Sequence, residues 1–194
     1  MDSKEKVDLV RCLLVGSVNS ETFDFQPQLG SELIEIRPLR AEDFTELYTV
    51  ASDPLIWTQH PNKNRHEEEE FKAFFLDALN SKGALAVIDN KEDRLIGSSR
   101  YHGYNEERDE IEIGWTFLAR SHWGGTYNQE LKRLMLQHAF KFVSNVIFLI
   151  GRNNFRSQRA VEKIGGVLSG SRRDANGLES LVYRIDKSFQ KIQE

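Results

Sequence analysis

The chain has 194 residues, of which 39% are hydrophobic and 29% charged, and its formal net charge is −4. This length suits one domain with a full core. The negative charge gives no general attraction to nucleic acid or to anionic lipid, so we expect neither as a partner. The single cysteine, Cys12, cannot form an internal disulfide. No cluster of cysteine and histidine has the spacing of a zinc site, so no metal is expected.

The amino-terminal segment carries no targeting signal that we can identify. No apolar run approaches the ~18 residues that a membrane-spanning helix needs. Four apolar residues, 12–15, follow the first charges, and they are too few for the core of a signal peptide. The sequence therefore predicts a cytoplasmic protein. We expect residues 1–22 to be an N-terminal extension, with a strand within 7–15, and residues 23–194 to be one domain.

The first third of the domain predicts one strand and two helices. Apolar residues at 33–36 indicate the strand, which a proline ends. Within 44–48, apolar side chains at i, i+3 and i+4 indicate a short amphipathic helix. A stronger helical stripe covers 71–79. It is preceded by four glutamates, 67–70, which the helix dipole favours in a first turn.

The remainder of the chain predicts a meander followed by alternating helices and strands. Strands at 84–89, 95–101 and 111–118 are separated by polar turns, which indicates antiparallel pairing. Strands that come first and then alternate with helices predict a mixed α/β domain. The later elements are a helix over 126–142, a strand over 146–150, a helix over 160–164, and strands at 167–168 and 181–185.

The segment 111–128 carries the first chemical signal. It brings a strand to the pair Gly124-Gly125, after which a helix begins. Helix-start N–H groups are unpaired, and glycines allow a ligand to approach them, so the pair predicts a pyrophosphate cradle. A simple chain turn is the alternative. A P-loop is excluded because no lysine follows Gly125, and a Rossmann fingerprint is excluded because a third glycine is missing.

Four segments carry a resemblance to a known family: IEIRPLRAEDF, EIGWTFL, WGGTYNQELK and NNFRSQRAVEKIGG. Together they resemble the GNAT acetyltransferase superfamily, in the branch similar to the RimJ/RimL ribosomal-protein N-terminal acetyltransferases. The resemblance covers residues 23–186. The family loop, Gln/Arg-x-x-Gly-x-Gly/Ala, departs here at Ser121 and Thr126, whereas the pattern from Trp123 to Lys132 is typical of one branch.

The resemblance implies an α/β (mixed α+β), GNAT-like fold. Its central twisted sheet is mostly antiparallel, has about seven strands, and is splayed between strands 4 and 5. About four helices pack on both faces. The resemblance also implies acetyl-CoA as the cofactor, with the pantetheine arm along a strand edge and the pyrophosphate on the loop amides. The implied cofactor-binding residues are Phe117, Leu118, Trp123, Gly124, Gly125, Thr126, Tyr127, Asn128, Asn154 and Ser157.

Two residues are candidates for the chemistry of acetyl transfer. Strand alternation places Glu110 and Glu112 on one face and the apolar side chains, Trp115 among them, on the other. Glu112 is therefore the candidate base for the amine, although a carboxylate there also suits cross-strand pairing. By resemblance, the hydroxyl of Ser157 lies near the thioester sulfur and is expected to donate to the leaving thiolate. A first-turn serine bonded to the backbone is the alternative.

Several neighbouring residues have more ordinary interpretations. Asn154 also suits a helix N-cap. His122, beside the glycines, is expected to face solvent, as loop histidines usually do. Trp57, His60 and the loop 53–64 lie where the family builds its acceptor pocket. A strand amide near Phe117 or Leu118 is expected to hold the oxyanion.

The resulting hypothesis is an N-acetyltransferase that moves an acetyl group from acetyl-CoA to a primary amine by direct attack in a ternary complex. The acceptor is a protein N-terminus or a small-molecule amine, and the enzyme is a monomer or a homodimer. Two alternatives remain. The first is a non-catalytic acyl-CoA-binding or regulatory module. The second is an interaction domain that does not bind CoA.

Overall fold

The structure is a computed structural model that describes residues 22–175 and 177–190. The strand predicted within 7–15 lies outside these residues. In the described part, no helix is both long and apolar enough to cross a membrane. Phe23, at the predicted start of the domain, is buried in the core.

Eight strands form a single sheet. They are β1 (Leu29–Gly30), β2 (Ile34–Pro38), β3 (Ala84–Asp89), β4 (Arg94–Asn105), β5 (Glu110–Leu118), β6 (Asn145–Gly151), β7 (Val167–Arg173) and β8 (Glu179–Asp186). Their order is β1-β2-β3-β4-β5-β6-β8-β7. Neighbours are antiparallel, except that β5 and β6 run parallel. The seven predicted strands are all present, and the short β1 is an addition.

Four helices of eight or more residues accompany the sheet in the described ranges. They are α1 (Phe44–Ala51), α2 (Glu68–Asn80), α3 (Thr126–Ala139) and α4 (Phe155–Lys163), and the one-turn α5 (Lys187–Gln190) follows β8. The prediction of a helix to residue 142 was wrong by three residues, because α3 ends at Ala139. Phe142 nevertheless packs against the core, which explains why it continued the apolar stripe.

Helices cover both faces of the sheet, and alternation along the strands decides which side chains they meet. In β3, Leu85 and Val87 lie in the core beneath α3 and α4, whereas Ala84 and Ala86 lie in the core beneath α1 and α2. Each large apolar side chain that is fully buried contributes about 1.5–3 kcal/mol. The buried apolar helix residues are Leu47 and Ala51 in α1, Phe71, Phe75 and Ala78 in α2, Leu131, Leu134, Met135, Leu136 and Ala139 in α3, and Val161 in α4.

The parallel pair β5 and β6 separates part of the way along its length, as expected. The two strands pair from Glu110 opposite Asn145 to Glu112 opposite Ile147. Beyond Glu112, β5 continues to Leu118 with β4 as its partner on one side and, among the described residues, no paired strand on the other. The separation leaves a wedge-shaped gap in the sheet, and the backbone edge of β5 faces that gap.

A β-bulge in β5 lies directly after the point of separation. Gly114 pairs with Arg100 and Phe117 with Ser98, so Trp115 and Thr116 together stand opposite the single Ser99. Trp115 has a φ of +51°, which is strained for a bulky residue.

The prediction that Trp115 shares the apolar face of Ile111 and Ile113 was wrong, because the bulge resets the alternation. The Trp115 ring centroid lies 5.2 Å from that of His102 and 4.6 Å from the Arg100 guanidinium carbon. These are neighbours of Glu112 on the α1 and α2 side of the sheet. After the bulge, Phe117 also lies in the core beneath α1 and α2.

Candidate active site

The glycine pair sits directly at the start of α3. Gly124 has a φ of +70°, and Gly125 is the N-cap of the helix without any side-chain cap. A Cβ atom at either position would meet nothing within 4 Å, so the backbone here faces open space. Uncapped N–H groups and the positive end of the helix dipole therefore point into an accessible region.

A groove of about 510 Å³ runs from this helix start to α4. Gly124, Gly125 and Asn128 line one wall. The opposite wall carries three cationic side chains, Arg156, Arg159 and Lys163, with Phe155 beside them. Cations facing a helix N-terminus make a site suited to a polyanion such as a pyrophosphate.

His122 and Tyr127 anchor this loop to the end of β3. The prediction that His122 faces solvent was wrong, since it is buried, with Nδ1 2.9 Å from Ser121 Oγ and Nε2 3.3 Å from Asp89 Oδ2. Tyr127 donates its hydroxyl to the same Asp89 oxygen at 3.2 Å. The Tyr127 side chain thus points to Asp89, so its share in a cradle would come from its backbone in the first turn.

Trp123 links the loop to the gap in the sheet. Its indole N–H donates to the Leu118 carbonyl at 2.9 Å, and the Arg156 guanidinium carbon lies 4.0 Å from its ring centroid. Arg156 also donates to the Ile56 carbonyl at 2.7 Å. The carbonyl of Leu118 is therefore already engaged, and the other backbone groups along the gap remain as candidates for the pantetheine arm.

Phe117 places its side chain away from this edge. Its ring centroid is 5.1 Å from that of Trp57, within the aromatic core beneath α1 and α2. Leu118 points to the opposite core, beneath α3. Both side chains are buried, so what these residues offer a ligand is backbone.

The start of α4 faces the same groove. Asn154 is the N-cap, and its Oδ1 accepts a hydrogen bond from the Ser157 amide at 3.2 Å. The hydroxyl of Ser157 is half-buried and has no hydrogen-bond partner among the described residues. Ser157 therefore does not use its hydroxyl to bond the helix backbone, and that group is free to donate elsewhere.

Glu112 is a buried carboxylate at the apex of the gap. It is 8% exposed and, within 22–175 and 177–190, it has no hydrogen bond or ion pair. Burial raises its pKa to about 7, against the opposing charges of Arg172 and Arg100. Glu110 differs sharply, because Arg172 at 2.8 Å and Arg184 at 3.2 Å hold it in ion pairs. The paired carboxylate of this strand is thus Glu110, and Glu112 remains free to titrate.

Cationic and aromatic side chains lie on the α2 side of the sheet, and the charge of Arg100 acts on Glu112. Arg100 pairs with Asp77 at 2.8 Å, yet its buried Nε and Nη2 have no partner among the described residues. The guanidinium carbon of Arg65 lies 4.3 Å from the Phe74 ring centroid, and its Nη1 is 3.1 Å from His60 Nε2. Burial and the charge of Arg65 lower the pKa of His60 to about 4, so His60 is neutral at pH 7.

The predicted site residues therefore fall into two groups. In the first group, Gly124, Gly125 and Asn128 line one groove with the side chains of α4, while Asn154 and Ser157 lie at the start of that helix, next to the lining residues Phe155 and Arg156. Glu112 lies outside the lining of that groove, where β5 leaves β6. The sequence did not single out Asp89 or Arg156, because their roles depend on contacts between distant segments.

Comparison with known families agrees with this arrangement. Residues 34–167 match the sequence profile of the acetyltransferase (GNAT) domain. The match spans more than half of the chain, and the chain therefore belongs to the GNAT acetyltransferase family. No curated protein matches the chain at a significant level.

Solved structures extend the comparison at the level of the fold. A GNAT-family protein from Chromobacterium violaceum has a TM-score of 0.78 at 18% identity, covering 92% of this chain and 95% of that one. An acetyltransferase structure from T. thermophilus has a TM-score of 0.70 at 26% sequence identity, covering 86% of this chain and 93% of that one. Mycobacterium smegmatis RimJ, in complex with CoA-disulfide, has a TM-score of 0.64 at 15% sequence identity, covering 84% of this chain and 88% of that one. These neighbours are consistent with the RimJ/RimL-like branch.

Proposed function

We propose that the protein is an N-acetyltransferase that moves an acetyl group from acetyl-CoA to a primary amine by direct attack in a ternary complex. The observation that carries the proposal is Glu112, a buried carboxylate without a partner in the described ranges, with a pKa of about 7 at the apex of the gap. A base is most effective when its pKa lies near the working pH. Family membership supports acetyl transfer, and Glu112 supplies a base able to take the proton that an attacking amine loses.

The residues around the groove fit acetyl-CoA. The backbone from Gly124 to Asn128 would hold the pyrophosphate, with Arg159 and Lys163 facing it across the groove. The edge of β5 beyond Glu112 lacks a paired strand in the described part of the chain and would hold the pantetheine arm as an added strand is held. Bound acetyl-CoA supplies an acetyl group activated as a thioester.

Three groups of the chain would then divide the proton and charge transfers. Glu112 accepts the proton that the attacking amine loses, either directly or through water. A backbone N–H beside the bulge, near Phe117 or Leu118, donates to the carbonyl oxygen on which negative charge develops. As the nitrogen–carbon bond forms and the carbon–sulfur bond breaks, the hydroxyl of Ser157, free among the described residues, donates a hydrogen bond to the departing thiolate. The thiolate takes its proton from water, and Glu112 returns the amine proton to water.

The acceptor is a protein N-terminus or a small-molecule amine. The fold shared with RimJ supports the first class. A non-catalytic acyl-CoA-binding module is the competing function. One observation favours it: α4 (Phe155–Lys163) contains no tyrosine, so only the weakly acidic hydroxyl of Ser157 is available there to assist the departing thiolate.

Turnover separates the two functions. Free thiol is measured after mixing the purified protein and acetyl-CoA with a panel of amines: peptides with free N-termini, polyamines and amino acids. Thiol release that requires one class of amine supports the transferase and identifies its acceptor. If acetyl-CoA binds tightly while no amine accelerates thiol release, the binding module replaces the transferase.

A further inference from the structure

Lys132 is a buried lysine whose charge has no counterion in the described part of the chain. It lies in α3, is 6% exposed, and closes the Trp123–Lys132 pattern noted in the sequence. No carboxylate of the described residues forms an ion pair with its ammonium group. Its nearest aromatic partner among them is Phe148 of β6, whose ring centroid is 5.7 Å from Nζ.

Such a charge is costly to bury. An isolated ammonium in a protein interior is expensive, and apolar residues of similar volume are often neutral or stabilising in its place. Burial alone lowers the pKa of Lys132 to about 7. Its position within α3 would suit a methionine or leucine better if packing were the sole requirement, so the cation must serve the residues that it touches.

Those residues lead directly to the bulge. Nζ of Lys132 donates to Thr116 Oγ1 at 2.5 Å and to Ser99 Oγ at 3.3 Å. The two hydroxyls lie 2.8 Å apart, and each is 3.4 Å from the Gly114 carbonyl. Ser99 is the residue opposite the bulge, and Thr116 is in it. The network therefore spans the bulge from its α3 side, opposite Glu112.

We infer that Lys132 is a positioning residue for acetyl transfer, which acts through Thr116 and Ser99 to fix the strained bulge and to keep a positive charge behind it. The inference rests on the proposed function, because the bulge adjoins the strand amides assigned to the developing negative charge. Trp115, with its φ of +51°, persists only if neighbouring contacts hold it. On the α3 side of the bulge, those contacts are the hydrogen bonds that join Lys132, Thr116 and Ser99.

Few other charges act on Lys132. The titratable groups on the elements packed around this face are Tyr101 in β4, His138 in α3 and Tyr183 in β8. Tyr101 donates to the Met135 carbonyl, His138 lies 2.8 Å from the Asp24 carbonyl, and Tyr183 donates to Glu162. Each of these three has a partner elsewhere, but Glu112, across the bulge beside Gly114, also has a pKa of about 7. A pH effect at the bulge near neutrality is therefore assigned to Lys132 only where Lys132→Met removes it.

Hydrogen exchange tests the positioning role without any acceptor. The variants are Lys132→Met, which keeps length and removes charge, and Thr116→Val, which removes the hydroxyl. Lys141→Met, an exposed lysine just after α3, is the matched control. In the purified full-length protein, the amides of 113–118 should exchange about tenfold faster in both test variants than in the wild type. In the control variant their exchange rates should equal those of the wild type. Thermal unfolding should show Lys132→Met at least as stable as the wild type.

Kinetics then tests the charge. The acetyl-CoA affinity of Lys132→Met should stay within about threefold of the wild-type value, whereas its kcat at pH 7 should be about tenfold or more below that of the wild type. Because the ammonium must be present, wild-type kcat should fall as pH rises above about 7, and Lys132→Met should lose this alkaline limb. A more abundant free amine only raises the rate with pH, so it cannot produce that limb.

The outcomes separate the inference from the proposed function. Unchanged exchange at 113–118 in both variants would overturn the inference, as would wild-type kcat and an intact alkaline limb in Lys132→Met. A change of amide exchange that occurs in Lys132→Met and not in Thr116→Val would also overturn it, since the charge would not act through the Thr116 hydroxyl. A wild-type protein that does not bind acetyl-CoA would instead refute the proposed function, and the exchange experiment would still decide the bulge.

Discussion

Replacing Glu112 by Gln should slow catalysis and stabilise the protein at the same time. The carboxylate is buried, and its pKa rises from 4.5 to about 7. The amide keeps the shape and cannot take a proton. A general base typically contributes about 10²–10⁴-fold, so we expect kcat/KM at pH 7 to fall by that order.

The pH dependence follows from the same pKa. As Glu112 ionises, wild-type kcat/KM should rise about tenfold per unit below pH 7, and above about pH 7 the loss of the Lys132 charge should turn it down. In Lys132→Met the rise should instead level off above about pH 8. Glu112→Gln should lack the acid limb, because only water and hydroxide remain as bases. Its deficit should therefore shrink at high pH.

The stability change has the opposite sign. A carboxyl whose folded pKa is raised contributes stability below its unfolded pKa, near 4.5, and loses it as the pH rises through about 7. The shift corresponds to about 3 kcal/mol, as an order of magnitude. Glu112→Gln should therefore be more stable than the wild type at pH 8, and the difference should fade towards pH 4.5.

Denaturant unfolding at pH 4.5 and pH 8, together with thiol-release kinetics from pH 5.5 to 9, measures both effects. Glu107→Gln, an exposed carboxylate in the turn before β5, is the control and should change neither. Wild-type kcat/KM in Glu112→Gln would refute the assignment of the base. A uniform loss at every pH would show that Glu112 positions the acceptor.

Two further variants test the groove and the proton donor. Gly124→Asp should weaken acetyl-CoA binding, measured by calorimetry, on the order of 100-fold, because a carboxylate would face the pyrophosphate. Gly177→Asp, at another exposed glycine with positive φ, is the control and should leave the acetyl-CoA affinity unchanged. Ser157→Ala should lower kcat about tenfold at constant acetyl-CoA affinity, and Ser169→Ala, whose hydroxyl bonds the Val182 carbonyl, should not. Equal affinity in both glycine variants, or equal kcat in both serine variants, would contradict these roles.

The fold could be predicted well from the sequence because its signals are local. Period-two and period-3.6 patterns mark each long element, and the family resemblance supplied a mostly antiparallel sheet splayed between two neighbouring strands. The short strand Leu29–Gly30 escaped because two residues carry no periodicity. The end of α3 was misplaced because Phe142 packs on the same core as the helix without belonging to it.

The site was harder to predict because its details depend on strand irregularity and long-range contacts. Simple alternation put Trp115 on the wrong face, since a bulge inserts one residue and no sequence signal marks it. His122 was expected in solvent, yet Asp89 of a distant strand holds it in the interior. Lys132 ended a recognised pattern, but only packing reveals that its charge is buried and, among the described residues, unpaired.

Calorimetric titration of the purified protein with acetyl-CoA, with CoA and ATP as controls, decides whether the groove and the gap hold the cofactor. We expect micromolar or tighter binding of acetyl-CoA and no binding of ATP, since the gap in the sheet would select the pantetheine arm that ATP lacks. Absence of acetyl-CoA binding would refute the cofactor site. In that case the departures at Ser121 and Thr126 would have disabled the loop, and an interaction domain would become the better description.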